Sequence, residues 1–418
     1  MRKFLIISLG QFPSLIGSAM TNFAITIWAW EVTGRATPLA AIAIAAQIPT
    51  LLISPFAGIW VDRFNRKTLM LLGDTVAGLS TLVLLTLFLN DRLQIWHLYV
   101  SGAVNGVFGY MQGLAYSASI SLMVAERHYA RASAFGSMQG SASFILAPAL
   151  AGAIYPIAGL SGIMMVDLIT FGIAIATLSA IAIPQPAIAK PHTEAEPVWQ
   201  QMTFGFRYLW CRPSLRALLI FFLISNFINS ASFSVLAPML LARYGNDAAV
   251  MGTMYACFGM GGLFGGLTLS IWGGPKRRIH GVLIFNAIWK VGLMMLALIR
   301  NFSASVVFAF MSGFCSPFPG SCSQAIWRSQ VEPEVQGRVF ASRFLITQLA
   351  APLGAAIAGL LADYVFEPAM QPGGVLAGRL GGIFGVGSGA GMSLQVTLFA
   401  SVGLGIALGA YRIKQLKF

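Results

Sequence analysis

Gly58-Ile59-Trp60-Val61-Asp62-Arg63-Phe64-Asn65-Arg66-Lys67 closes one long apolar segment, from about Leu39 to Trp60, and opens another, from about Thr68 to Leu89. So few residues between two membrane-length runs can only join antiparallel helices. The cations Arg63, Arg66 and Lys67 hold such a turn on the cytoplasmic side.

Composition agrees with that reading. Hydrophobic residues are 57% of the 418 positions and charged residues only 9%, where a soluble chain carries about 25% charge. Mean hydropathy is +0.77. Hydrocarbon about 30 Å thick takes ~20 apolar residues per helix. The apolar runs then predict an all-α membrane protein with twelve spans, at about 4–30, 39–61, 68–89, 95–123, 133–158, 162–183, 215–241, 248–272, 280–299, 304–326, 340–365 and 392–411.

Lys and Arg number 26 against 13 acids, an excess that elsewhere would point to nucleic acid. Here the cations lie in short loops. With the N-terminus inside, only Arg35, Arg92, Arg243, Arg300 and Arg379 fall outside and Lys290 falls within a span; the other twenty are cytoplasmic. That bias places both termini in the cytoplasm, with an even number of spans. Met1-Arg2-Lys3 runs straight into a span without a cleavage pattern. The cysteines Cys211, Cys257, Cys315 and Cys322 form no metal-like cluster and read as packing. Gly-x₄-Gly-Lys-[Ser/Thr] is absent, and the Gly-rich run Gly373 to Gly391 follows no strand, so nucleotide binding is rejected. That run is expected outside and mobile. No cofactor or metal is implied.

Pro184, Pro186, Pro191 and Pro197 break the apolar pattern and define a linker at 184–214 between bundles at 1–183 and 215–418. Within it, Trp199 to Leu209 reads as an amphipathic interfacial helix. The halves repeat one another. Val124-x₆-Arg131-x₂-Ala134 recurs as Val331-x₆-Arg338-x₂-Ala341, and Ala147-Pro148-Ala149-Leu150-Ala151-Gly152 is echoed by Ala351-Pro352-Leu353-Gly354-Ala355-Ala356. Parallel six-helix repeats are a transporter architecture.

The opening loop, as Gly-x-x-x-Asp-Arg-x-x-Arg-Lys, resembles the signature between helices 2 and 3 of the major facilitator superfamily of secondary transporters. Asn65 stands where that family has Gly, and its tolerance of positive φ keeps the turn. Trp28 to Gly34, Met165 to Phe171, Gly205-Phe206-Arg207-Tyr208 and Pro333-x₃-Gly337-Arg338-Val339-Phe340-Ala341 resemble its macrolide-efflux and enterobactin-exporter branch. The resemblance implies a two-bundle, twelve-helix transporter, not an enzyme. It would export a bulky amphipathic small molecule (an antibiotic, siderophore or peptide product) by alternating access in exchange for protons, as a monomer in the lipid bilayer. An importer or lysophospholipid flippase on the same fold, or a non-transporting sensor, remains open.

Charge alone accounts for the loop as a topological turn. The sharper reading is a latch of Gly58, Asp62, Arg63, Arg66 and Lys67, whose partner the resemblance puts at the start of the eleventh span, near Arg338 to Arg343. Ionisable groups inside spans are expensive and functional by default. Asp74, Asp167, Glu31 and Lys290 are therefore coupling candidates, each with a structural alternative. Lys290 sees no acid at its depth and either faces a wet cavity or snorkels. The fourth span lacks the Arg of many proton antiporters in the superfamily. Cavity candidates near mid-membrane are Gln11, Asn22, Asn105, Tyr110, Gln112, Tyr116, Gln139, Asn226, Asn229, Tyr255, Phe258, Phe314 and Gln348. Pro148, Pro317, Pro319 and Pro352 are expected to kink their helices, with Pro317 to Gly320 a gate hinge.

Overall fold

The computed structural model describes residues 2–125, 128–181, 183, 198–332 and 335–413. Most of the linker and the Lys414 and Lys417 end lie outside them. The described secondary structure is helical throughout: α1 (Arg2–Thr33), α2 (Ala36–Arg63), α3 (Arg66–Leu89), α4 (Ile95–Met123), α5 (Tyr129–Ala180), α6 (Val198–Cys211), α7 (Pro213–Ser234), α8 (Leu236–Arg243), α9 (Ala248–Trp272), α10 (Arg278–Leu298), α11 (Phe302–Cys315), α12 (Pro317–Gln330), α13 (Gln336–Leu361), a π turn (Ala362–Phe366), α14 (Glu367–Met370), α15 (Ala377–Phe384) and α16 (Ala390–Ala410).

Ten segments of the described residues are long and apolar enough to cross a membrane. One of them, Met138–Ala180, lies in α5, which is two helices meeting at Gly159, whose φ of 61° only glycine adopts freely. α4, whose Ser, Asn and Gln side chains dilute its apolarity, adds the remaining crossing and brings the total to twelve. The spanning helices are apolar nearly all round, as lipid demands. Their outward side chains include Leu52, Ile157 and Ile271.

The chain folds as two compact units, Met1–Val32 with Ala41–Ala195, and Thr33–Ala40 with Glu196–Phe418. In the first, Phe4, Ile7, Met70, Met111 and Leu178 share a core. In the second, α7, α10, α12 and α16 bury Leu218, Val282, Trp327 and Ala407 together. Thr33–Ala40 belongs with the second unit for a chemical reason. The Asp363 carboxylate accepts from Ala36 N and Thr37 N, 2.8 Å each, and fills the open amides at the start of α2.

Several expectations need correction. Asn65 has φ −62° and does not use positive φ; it is the N-cap of α3, its side chain accepting from Thr68 N at 3.2 Å. Pro148 and Pro352 sit inside continuous helix, and the break in α5 comes at Gly159. Pro317 and Pro319 begin α12 after a break at Ser316, because proline suits the first turn, whose amides are unpaired anyway. The seventh span is also broken, at Val235 between α7 and α8. The Gly-rich run is not irregular throughout. It contains α15, and Phe384 packs with Met370, Ala390 and Leu394. Glu367 fixes its far end by accepting from Met392 N at 2.8 Å and Gly389 N at 3.2 Å, at the start of α16.

Candidate functional site

In the first unit, α1 carries the polar ladder. Ser8, Gln11, Leu15 and Ser18 recur at helical spacing and share one face. That face meets α3, α4 and both halves of α5. The Ser8 hydroxyl pairs with Tyr116 and its carbonyl accepts from Gln139 Nε2 at 2.7 Å. The Leu15 carbonyl accepts from Ser143 Oγ at 3.2 Å. Gln11 Nε2 donates to Asp74 Oδ2 at 2.7 Å, while Gln112 Nε2 donates to Asp74 Oδ1. Ser18 Oγ and Thr81 Oγ1 donate to the two oxygens of Asp167 at 3.3 and 3.2 Å.

Asp74 and Asp167 are 2% and 1% exposed, so each carboxyl depends on protein donors rather than water. Glycine allows the approach. A Cβ on Gly73 would stand 2.8 Å from Gln112 Cβ, and one on Gly17 would stand 2.8 Å from Asp167 Oδ1. Asp74 is held from α1 and α4, Asp167 from α1 and α3. Each carboxylate thus ties three helical segments.

The remaining candidates of this unit are more dispersed. Asn105 Nδ2 donates to Ser80 and Ser101 at 3.3 Å each, and its buried Oδ1 has no partner. Tyr110 packs on the core. Asn22 is exposed. Glu31 is exposed at the far end of α1 and accepts from Tyr155 at 2.8 Å, away from both buried acids. Gly58 lies within α2, and the side chains of Asp62, Arg63 and Arg338 lie outside the described residues. Arg66 and Lys67 are described, and they serve their own unit. Arg66 Nη1 donates to Ala118 O at 2.6 Å and Lys67 Nζ to Ser179 O at 2.8 Å. Cations there meet the negative ends of α4 and α5.

In the second unit, Lys290 neither snorkels nor faces water. It is 0% exposed, roughly 18 Å along α10 from Arg278 at 1.5 Å per residue. Its Nζ donates to Asn229 Oδ1 on α7. Gly403 of α16 makes the room: a Cβ there would lie 2.7 Å from Lys290 Cε. One turn away, the buried Asn286 Oδ1 has no partner. The only ion pair among the described residues is Arg212–Glu332, so no carboxylate balances this amine there.

Asn226 Nδ2 donates to Thr347 O at 3.3 Å, which ties α7 to α13. Gln348 is half-buried on α13. Tyr255 and Phe258 of α9 sit edge-on and tilted against Phe233, at 5.6 and 5.8 Å between ring centres. Phe314 lies 5.8 Å from Phe318, which stacks on Phe285 at 3.8 Å. The pairing Lys290–Asn229 was missed in the sequence because residues 61 positions apart carry no local signal of contact.

These buried polar groups tie apolar helices to one another within each unit. Residues 7–355 match the family model described as Major Facilitator Superfamily. The chain belongs to that superfamily. It is a multi-pass membrane transporter. It is similar to macrolide efflux protein A of Streptococcus pyogenes, 27% identical over 369 residues that cover 87% of this chain and 90% of that protein. It is also similar to the multidrug efflux pump Tap of Mycolicibacterium fortuitum, at 21% over 84% of this chain and 88% of the pump. Among solved structures, a single-site mutant of the nucleoside transporter NupG superposes with TM-score 0.73 at 13% identity, covering 98% of this chain and all of the other, 100%. A bacterial homologue of the lysosomal transporter Spinster, inward-facing, gives 0.69 at 15% over 98% and 97%. Likeness at that identity speaks for the fold.

Proposed function

We propose that this transporter exports a bulky amphipathic small molecule, macrolide-like in size and polarity, from a bacterial cytoplasm by alternating access, and that proton entry drives it through Asp74. Both termini would be cytoplasmic, with bundles at 1–183 and 215–418, and the working unit a monomer. The efflux relatives, matched over most of their length, support the direction and the solute class.

The observation that carries the coupling is the clamp of Gln11 and Gln112 on Asp74. Each side-chain amide offers both a donor and an acceptor. With the carboxylate ionised, both NH₂ groups donate to it. With it protonated, one amide turns and accepts the new O–H. The same pair therefore serves either state, whereas a cation in their place would favour only the ionised form. Gln11 stands on α1, so a shift of that helix is felt directly at the carboxyl. Asp167, packed against Gly17 and hydroxyls, suits a structural tie better.

The test is flux in proteoliposomes. Asp74→Asn removes the titration and leaves a hydrogen-bonding group of the same shape. Gradient-driven efflux of a macrolide should fall at least tenfold, while counterflow exchange without a gradient persists. Driven efflux at the unmodified rate would clear Asp74.

A further inference from the structure

The second unit carries an apolar groove whose lining includes neither the buried acids nor Lys290. It lies between the start of α7 and the end of α16 and has a volume of about 290 Å³. Its floor is Phe221 and Ala410, both buried, and its walls include Ile220, Ile224 and Ile406. The helices run antiparallel, so the groove opens at one membrane surface and climbs roughly 12 Å along α7 from Arg216 to Ile224 at 1.5 Å per residue.

Arg216 is the one charged residue in the lining. It stands at the mouth, one turn into a span that starts at Pro213, which is headgroup depth. Its guanidinium sits 5.7 Å from the centre of the Trp210 ring. Trp210 stacks at 5.6 Å on Phe206, and both rings are about half exposed, at 53% and 50%. No carboxylate pairs with Arg216 among the described residues. An apolar slot at acyl-chain depth, under a cation at phosphate depth that donates only to the Trp210 carbonyl at 3.5 Å and has no carboxylate partner among the described residues, beside aromatic rings that favour the interface, has the polarity profile of a phospholipid.

We propose that this groove binds one anionic phospholipid, its acyl chain along Ile220 and Ile224 and its phosphate on Arg216. Orientation in the membrane does not enter, because the mouth is at a surface either way. The site therefore stands or falls separately from proton-driven efflux.

The test is native mass spectrometry of the full chain in detergent, with phosphatidylglycerol or phosphatidylethanolamine of matched acyl chains as the probe. One phosphatidylglycerol should be retained in preference to phosphatidylethanolamine. Arg216→Gln should lower its occupancy about fivefold, the effect of one cation near a membrane surface. Ile220→Trp, which fills the slot and keeps the cation, should lower occupancy of both lipids. Arg207→Gln, on the linker helix outside the lining, should change neither. Elution as a single sharp species checks folding, and Ala410→Phe serves as the second slot-filling variant. The proposal is overturned if Arg216→Gln retains phosphatidylglycerol like the parent chain, or if both lipids bind alike. It is also overturned if slot-filling leaves binding intact, or if the groove proves to hold a second copy, seen as a dimer that Ile220→Trp dissolves.

Discussion

Lys290 concentrates the problem of putting charge in lipid onto one residue. A buried amine is tolerable only with partners, and here Asn229 accepts its hydrogen bond while the Trp289 ring centre lies 5.7 Å away. No other titratable residue lies on α16, and on α7 only Arg216, near its start, does. Removing the acceptor while keeping the amine should therefore cost more than removing both. Asn229→Leu is expected to destabilise by about 1–3 kcal/mol, the penalty of an orphaned polar group. Lys290→Met should match or exceed the parent in thermal stability, and the double variant should recover most of the loss. Melting in detergent reads the cycle. Equal loss from Asn229→Leu in both backgrounds would mean the pair is not coupled. Lys290 was legible in the sequence as an anomaly, but its acceptor was not, because α7 and α10 meet at this point only across Gly403 of α16.

Between elements, small residues decide how closely helices approach. α9 and α11 touch backbone to backbone. A Cβ on Gly313 would fall 1.9 Å from Phe258 O, and one on Gly261 would fall 2.1 Å from Phe310 O. Gly313→Ala must push the two helices apart and is expected to cost about 1–3 kcal/mol. Gly266→Ala, on the same α9 with open space around it, should be neutral or slightly stabilising. Thermal melting of the two variants checks this, and equal stability would mean the close approach carries no load. The linker helix α6 makes the other informative contact. Arg212 Nη2 reaches Glu332 Oε1 at 2.7 Å and Tyr208 also donates to Glu332, which together hold this exposed carboxyl at about 2. A carboxyl depressed in the folded state contributes its stabilisation above its ordinary pKa of about 4.3 and loses it as pH falls toward the folded value. Docking of α6 on the end of α12 should thus be constant from pH 7 to about 5 and loosen between about 4 and 2. A spin-label distance between the two helices would follow it, and loosening near neutrality would exclude Glu332 as the cause. The sequence announced α6 by its alternating aromatics; it gave no sign that Glu332 would meet it.

For the whole molecule, the balance of loop cations predicts that tags at either terminus are reached by protease only from the cytoplasmic face. Cleavage of one tag in intact cells would reverse that topology. The helical class, the number of crossings, the division near the proline-rich linker and the anomalous Asp74, Asp167 and Lys290 follow from the sequence alone. Lipid imposes so strict a rule on apolar length and backbone pairing that a linear reading suffices for them. Tertiary structure decided the rest: that Gln11 and Gln112 clamp Asp74, that Asn65 caps a helix, that Lys290 is sealed against Asn229, and that Asp363 holds the start of α2. Each is a meeting of side chains on different helices, fixed by rotation about helix axes and by where glycine permits contact, and no local pattern encodes it.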